Sequence, residues 1–211
     1  MKVLVSGFDA FGNDDENPSQ QVLSCLPSVI GVWQVHTVLL PTAARQATSR
    51  LEALVEQLEP EVVLCMGQAK GRSQVTVERI GINLDDFPIA DNSGFRPTDR
   101  PIAAEGPAAY FVRLPVKAMV CKIQAAGIPA ALSCTAGTYV CNHVLYSISH
   151  FLEMRGRGQL NGFIHLPCLP SQVKDDPKVP SMILKDQVKA VVAAIEVLDG
   201  PELKESRGSI C

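Results

Sequence analysis

Three observations predict an α/β fold, a sheet covered by helices on both faces, for this chain of 211 residues. Short β-branched runs alternate with amphipathic helical segments along most of its length, the order expected of strands and crossover helices. Hydrophobic residues make up 46% of the chain, enough to bury a sizeable core without disulfide staples. Glycines and prolines, 15 of each, are spread evenly with no repeat or low-complexity segment, which favours one domain over residues 1–211. The stretch after about residue 200 follows the last helical pattern and is read as a tail open to disorder.

The elements follow in order. Lys2 to Ser6 reads as a strand, leading into the glycine-bounded loop Gly7 to Gly12. A helix is expected near Asn17-Pro18-Ser19, where a capping asparagine precedes a proline suited to a first turn. Trp33 to Leu40 is a strand ended by Pro41. Ala43 to Leu58 carries apolar residues at 51, 54, 55 and 58, a helical period, and Glu61 to Met66 is a buried strand ending at Gly67. Gln74 to Leu84 alternates as a single strand would, and Asp85 to Pro107 is polar, proline-bearing loop. Val116 to Ala126 is helical up to Gly127, a C-cap residue. Ile128 to Cys134 then reads as strand, Val140 to Met154 as helix, Gly162 to Leu166 as strand and Pro180 to Leu198 as helix. In sheets of this kind, sites collect beyond the carboxyl ends of the strands. That directs attention to residues 7–12, 67–73, 135–140 and 165–170.

Composition narrows the function. A formal charge of −3 and the lack of a basic run argue against a nucleic-acid partner. The N-terminal apolar run Val3-Leu4-Val5 is far shorter than the roughly 7–15 residues of a signal peptide core. No stretch approaches the roughly 20 apolar residues of a membrane span. The expectation is a cytoplasmic protein without a membrane partner, whose seven cysteines stay reduced. No pair of them has CxxC spacing, which removes the strongest signal for a zinc ribbon or a thioredoxin-like site. Dinucleotide-binding and P-loop glycine spacings are both absent from the Gly7–Gly12 loop, so a nucleotide-binding enzyme has little support.

The segment Ser133 to Tyr146, SCTAGTYVCNHVLY, holds two cysteines and a histidine, and raises metal, redox, nucleophile and plain core readings alike. Cys141 falls in the first turn of a helix whose apolar stripe is Val144, Ile148, Phe151 and Leu152. Free backbone N–H groups and the helix dipole there favour a thiolate and could hold an oxyanion formed beside it. Cys134 lies inside a strand without such help and reads as a small buried hydrophobe, as do Cys25, Cys65 and Cys121. For Cys141, the nucleophile and core readings both stand on pattern alone.

A cysteine nucleophile needs a histidine in hydrogen-bond reach, and the chain has four. At about 100° per residue, His143 lies some 200° round the helix from Cys141 and His150 about 180° round, so both face away. His36 sits inside its strand, short of Pro41. His165, at the carboxyl end of Gly162 to Leu166, opens on the edge where the Cys141 loop should open; without Cys141 it would read as a satisfied histidine at a strand end. A third group must orient the imidazole. Glu78 is an acidic residue within the apolar run Val75-Thr76-Val77-Glu78-Arg79-Ile80. It reads either as that group or as half of a strand-face ion pair.

Four separated motifs in order resemble the pyroglutamyl peptidase I (pyrrolidone carboxyl peptidase) family of cysteine peptidases. They are Val3 to Gly12 with Asn17-Pro18-Ser19, Gly67-Gln68-Ala69 with Gly71-Arg72 and Val75 to Ile80, Thr135 to Val144, and Gly162 to His165 with Leu169-Pro170. The resemblance implies a three-layer α/β/α sandwich with a twisted, mostly parallel mixed sheet, often assembled as a homotetramer. It implies hydrolysis of N-terminal pyroglutamyl residues from peptides through a thioester, without metal or cofactor. It gives Cys141 as nucleophile, His165 as base and Glu78 as the partner that orients it.

Pyroglutamate is an uncharged lactam with no free amine for an acidic anchor, so recognition calls for aromatic walls and a few hydrogen bonds. Phe8, Phe11 and Tyr139 can supply the walls and Gln68 a polar contact. Both phenylalanines can equally be read as core. The chain departs from the family's pattern at Lys70, where a small residue is usual, at Pro88, where many members carry arginine, and at Cys168, which replaces an aromatic residue. These departures leave room for a weakly catalytic or altered-specificity relative that binds peptides or small molecules on the same fold. Cys168, near His165, also raises oxidation with Cys141 as a question of distance.

Overall fold

A computed structural model of the chain describes residues 1–208, so Cys211 lies outside the described residues. β1 (Lys2–Phe8) runs two residues further than its apolar pattern and carries Phe8 on the strand rather than in a loop. It is followed by α1 (Pro18–Cys25), where the Asn17 side chain accepts the Ser19 N–H and Pro18 occupies the first turn. A tight hairpin of β2 (Val29–Ile30) and β3 (Trp33–Leu40) leads to α2 (Ala44–Leu58) and then β4 (Val62–Gln68).

The alternating run expected as one strand over 74–84 is two: β5 (Val75–Glu78) and β6 (Ile80–Ile82). Between them Arg79 donates its N–H to the Ser133 carbonyl and accepts from Val112, and the chain leaves the main sheet. β6 pairs instead with β7 (Ala109–Phe111) in a separate antiparallel ribbon. Alternation is the same on either side of such a departure, so periodicity does not report it. Next come α3 (Val116–Ala125), β8 (Ala130–Ser133), α4 (Val140–Arg155) and β9 (Leu160–Leu166). After a 3₁₀ turn over Pro170–Val173 comes the last helix, α5 (Leu184–Ile195). This helix starts later than Pro180 because the Met182 N–H is committed to the Cys168 carbonyl, 2.9 Å away.

Seven strands form the main sheet in the order β2-β3-β1-β4-β9-β5-β8. All neighbours are parallel except β2–β3 and β5–β9, which makes the sheet mixed. Residues alternate between its faces. Val3, Val5, Val62, Leu64, Met66, Ile164 and Leu166 pack with α1, α3 and α5 in one core. Leu4, Val63, Cys65 and Phe163 pack with α2 and α4 in the other. The three-layer α/β/α arrangement therefore follows from β1, β4 and β9 being apolar on both faces. Each fully buried aliphatic or aromatic side chain among them contributes about 1.5–3 kcal/mol. α1 approaches β1 so closely that a Cβ at Gly7 would lie 2.8 Å from the Ser19 carbonyl oxygen.

The cysteines sort differently from expectation. Cys65 is buried, but Cys25 and Cys134 are exposed and Cys121 is half-buried. Cys134 lies one residue past the end of β8, and Cys25 is the last residue of α1, where the apolar stripe has run out. Residues 200–208 form no helix or strand, yet the Glu202 carboxylate accepts the Lys117 N–H at 3.0 Å and the Ala118 N–H at 3.3 Å, capping α3. Among the described residues no helix is long and apolar enough to cross a membrane.

Candidate active site

A cleft of about 250 Å³ opens at the carboxyl ends of β1, β4 and β9. All four segments singled out at strand ends contribute to it: Phe8 and Phe11, Gln68 to Lys70 with Arg72, Ala136, Gly137, Tyr139 and Val140, and His165. Cys141 completes it from the second residue of α4. Asn17, read from the sequence only as a helix cap, and Thr42, which carried no reading, also line it.

Strand register brings the reactive groups together. Gly67 on β4 is the direct partner of His165 on β9, and a Cβ at Gly67 would lie 2.8 Å from Cys141 Sγ. The thiol therefore rests on bare backbone beside the strand that carries the imidazole, and adjacent strands are about 4.8 Å apart. Only glycine leaves that seat open. Thr76 on β5 stands opposite His165, and Glu78, two residues on, points to the same face. Glu78 Oε1 lies 2.8 Å from His165 Nδ1, and both side chains are buried. Phe163 tilts against the imidazole with ring centroids 4.7 Å apart, which limits its rotation.

Arg72 was part of a motif but carried no assigned role, and it proves central to the electrostatics. Its guanidinium donates to Glu78 Oε1 at 2.5 Å, to the Thr76 hydroxyl, and to the Thr135 carbonyl at 2.9 Å. The signal available was a cation in the loop after a central strand, six residues before a buried carboxylate. Burial raises the Glu78 carboxyl, but hydrogen bonds and charge from His165, with Ser133 and Arg72, outweigh it and leave the pKa below the ordinary value. Glu78 is thus ionised, Nδ1 of His165 carries the shared proton, and Nε2 is left as an acceptor. Burial lowers the pKa of His165, with Glu78 partly offsetting it, so the imidazole rests neutral.

The thiol differs from the sequence expectation. Burial pushes Cys141 up to about 12, and the Glu78 charge and the neighbouring Cys65 act in the same direction. Arg72 and the Cys141 N–H oppose them without prevailing. Desolvation of the half-buried Cys141 thus opposes the thiolate that the helix N-terminus favours, which points to a neutral thiol at rest.

Of the other three histidines, His36 stays on β3 away from the cleft, and two are engaged elsewhere. His143 faces away and binds Asp85 at 2.8 Å, while His150 meets the Tyr110 hydroxyl at 2.8 Å. Asn142, next to the nucleophile candidate, holds Ile82 and Leu84 backbone groups and so fixes the start of α4 against β6.

The candidate substrate contacts divide. Phe11 and Tyr139 are half-buried in the cleft with centroids 6.0 Å apart, and the Tyr139 hydroxyl donates to the Ala90 carbonyl. Phe8 is 2% exposed and lies behind, stacked on Phe163 at 6.4 Å. The Gln68 side chain is already engaged: its Nε2 donates to Asp14 at 2.9 Å and faces Cys168 Sγ at 3.5 Å, while its Oε1 accepts from Gln172 at 2.9 Å. It ties three loops together at the cleft wall. Cys168 is buried on the Gln68 side of β4, whereas Cys141 sits over Gly67, and adjacent strand residues project to opposite faces. The strand thus separates the two thiols. Pro88 is exposed and does not line the cleft.

Residues 85–100 form a strap over this edge. Asp91 caps α2 through the Ala44 N–H at 2.9 Å and also accepts the Ser93 and Phe95 N–H groups. Phe87 then packs edge-on to Tyr139 with centroids 4.7 Å apart.

Comparison with known proteins bears on the family and the fold. A family model described as pyroglutamyl peptidase matches residues 1–199. The pyrrolidone-carboxylate peptidase of Treponema denticola is 44% identical over the full length of both chains. That of Bacillus thuringiensis is 46% identical over 92% of this chain and 91% of its own. The pyrrolidone carboxyl peptidase from Thermococcus litoralis superposes with a TM-score of 0.93 at 37% identity, covering 97% of this chain and 99% of its own. Pyroglutamyl peptidase I from Bacillus amyloliquefaciens superposes with a TM-score of 0.90 at 37% identity, over 93% and 96% of the two chains. A match across nearly the whole sequence, with the sheet superposing as well, means that this chain belongs to the pyroglutamyl peptidase family.

Proposed function

We propose that the chain is a cysteine peptidase that removes N-terminal pyroglutamyl residues from peptides, with Cys141 as nucleophile, His165 as general base and acid, and Glu78 as the group that orients His165. The observation that carries this reading is the buried 2.8 Å pairing of Glu78 with His165 Nδ1, with His165 on the strand between Glu78 and the seat of Cys141 at Gly67.

The resting state dictates the order of events. As Sγ attacks the pyroglutamyl carbonyl carbon, His165 Nε2 takes the thiol proton, and Glu78 stabilises the imidazolium. The oxyanion forms beside the free N–H groups at the start of α4, which have no side-chain cap competing for them. Collapse breaks the C–N bond, and the imidazolium protonates the departing amine. Water, deprotonated by His165, then cleaves the thioester and returns the thiol. Phe11 and Tyr139 supply aromatic walls for the lactam ring, with Phe8 supporting Phe163 behind them. Gln68 acts by holding the wall in place.

The chain works in this reading as one α/β domain in the cytoplasm and as a homo-oligomer. The apolar side chain of Phe111, 68% exposed on the β6–β7 ribbon, is a surface such assembly would cover. The deciding experiment is release of fluorophore from a pyroglutamyl-coumarin substrate by wild type and Cys141→Ser. Turnover by wild type and its loss in the variant is expected; full activity in Cys141→Ser would overturn the assignment.

A further inference from the structure

The charge of the cleft is one-sided. Apart from Cys141, His165 and Tyr139, whose phenol burial keeps neutral, the ionisable residues that line it are Lys70 and Arg72, both cations. Arg72 is engaged by Glu78, Thr76 and Thr135. Lys70 is exposed, and among the described residues neither a hydrogen bond nor an ion pair occupies its ammonium. Asp14 shares this rim, but its carboxylate is held by Gln68 and Gln172 rather than by Lys70.

A pyroglutamyl ring is neutral and gives a free ammonium nothing to pair with. The peptide beyond the scissile bond is different, because it ends in a carboxylate and can carry acidic side chains. The aromatic walls also come from the loop after β1 and the segment before α4, whereas Lys70 projects from the loop after β4, two residues beyond Gln68. We propose that Lys70 is a specificity-determining residue that favours substrates with a carboxylate close behind the pyroglutamyl residue, either an acidic side chain at the next position or the free terminus of a very short peptide. This rests on the peptidase reading above and adds to it the chemistry of the leaving group.

The interaction is solvent-exposed, so its size is bounded. An exposed ion pair is worth up to about fivefold in an equilibrium, and roughly 0.1 M salt screens charges beyond about 10 Å. Replacing attraction by repulsion between two substrates widens the contrast.

The test compares kcat/KM for pyroglutamyl-Glu-amide, pyroglutamyl-Ala-amide and pyroglutamyl-Lys-amide in wild type, Lys70→Ser and Lys70→Glu at low and high salt. Wild type should favour the glutamyl over the lysyl substrate by about threefold or more at low salt, with the ratio collapsing at high salt. It should approach one in Lys70→Ser and invert in Lys70→Glu, with the alanyl substrate falling between the other two in wild type and in Lys70→Glu. Turnover with the same glutamyl-to-lysyl ratio in wild type and Lys70→Ser would overturn the Lys70 assignment and leave the peptidase reading standing. No turnover of any of the three substrates by wild type would overturn both.

Discussion

Two electrostatic influences oppose each other at Cys141: the helix N-terminus favours a thiolate, and burial beside an ionised carboxylate disfavours it. Burial prevails, which makes this a site where the proton leaves as the bond forms, not one that stores a thiolate–imidazolium pair. Two pH profiles check that. A thiol near pKa 12 has a thiolate fraction that rises about tenfold per pH unit through the neutral range, so alkylation of Cys141 by iodoacetamide should climb steadily from acid to alkaline pH. A rate that is flat across neutral pH would show a preformed thiolate instead. In kcat/KM the base is His165, whose pKa lies below 6.5; activity should be full above that value and fall only on the acid side as the imidazole takes a proton. At this scale, Cys141 and His165 were legible because helical periodicity and strand ends fix where a side chain points. The part played by Glu78 rested on resemblance, since alternation does not say which strand lies beside β5. Arg72 was not legible as its partner, because a loop has no period from which to read the direction of a side chain.

At the scale of elements, the strap over residues 85–100 looked like solvated loop and instead joins three parts of the site. Its anchor is Asp91, 5% exposed, which caps α2 from a distance because Ala43 at the N-cap has no side-chain acceptor. Such long-range caps leave no mark on the helix they serve. Burial raises the Asp91 carboxyl, but hydrogen bonds from Ser93, Ala44 and Phe95 outweigh it and hold the pKa below 3.8. A carboxylate depressed in the folded state contributes stability that is complete above its unfolded pKa and is lost as pH falls through the folded one. Asp91→Ala should therefore cost about 1–2 kcal/mol near neutral pH, measured by urea denaturation, with a smaller penalty in strong acid. An unchanged midpoint at neutral pH would remove the strap from the account. The departure of β6 from the main sheet has a similar origin: what turns the chain at Arg79 is a carbonyl on β8 and an N–H at Val112, both remote in sequence.

Across the whole molecule, the sheet topology explains why residues 78, 141 and 165 meet. β9 is the shared neighbour of β4 and β5, running parallel to one and antiparallel to the other. That places Glu78 and the seat of Cys141 on either side of His165 and on one face. The layering was readable from alternating strands and helices, and from strands apolar on both faces. The strand order was not, because it depends on pairings between segments up to about 100 residues apart. The central claim, covalent catalysis from this seat, is tested most directly by quenching the enzyme in acid during turnover of a pyroglutamyl peptide and mapping the adduct by mass spectrometry. The account predicts a pyroglutamyl thioester on Cys141 and none in Cys141→Ser. Steady turnover with no acyl group on Cys141, matched by an active Cys141→Ser variant, would contradict it.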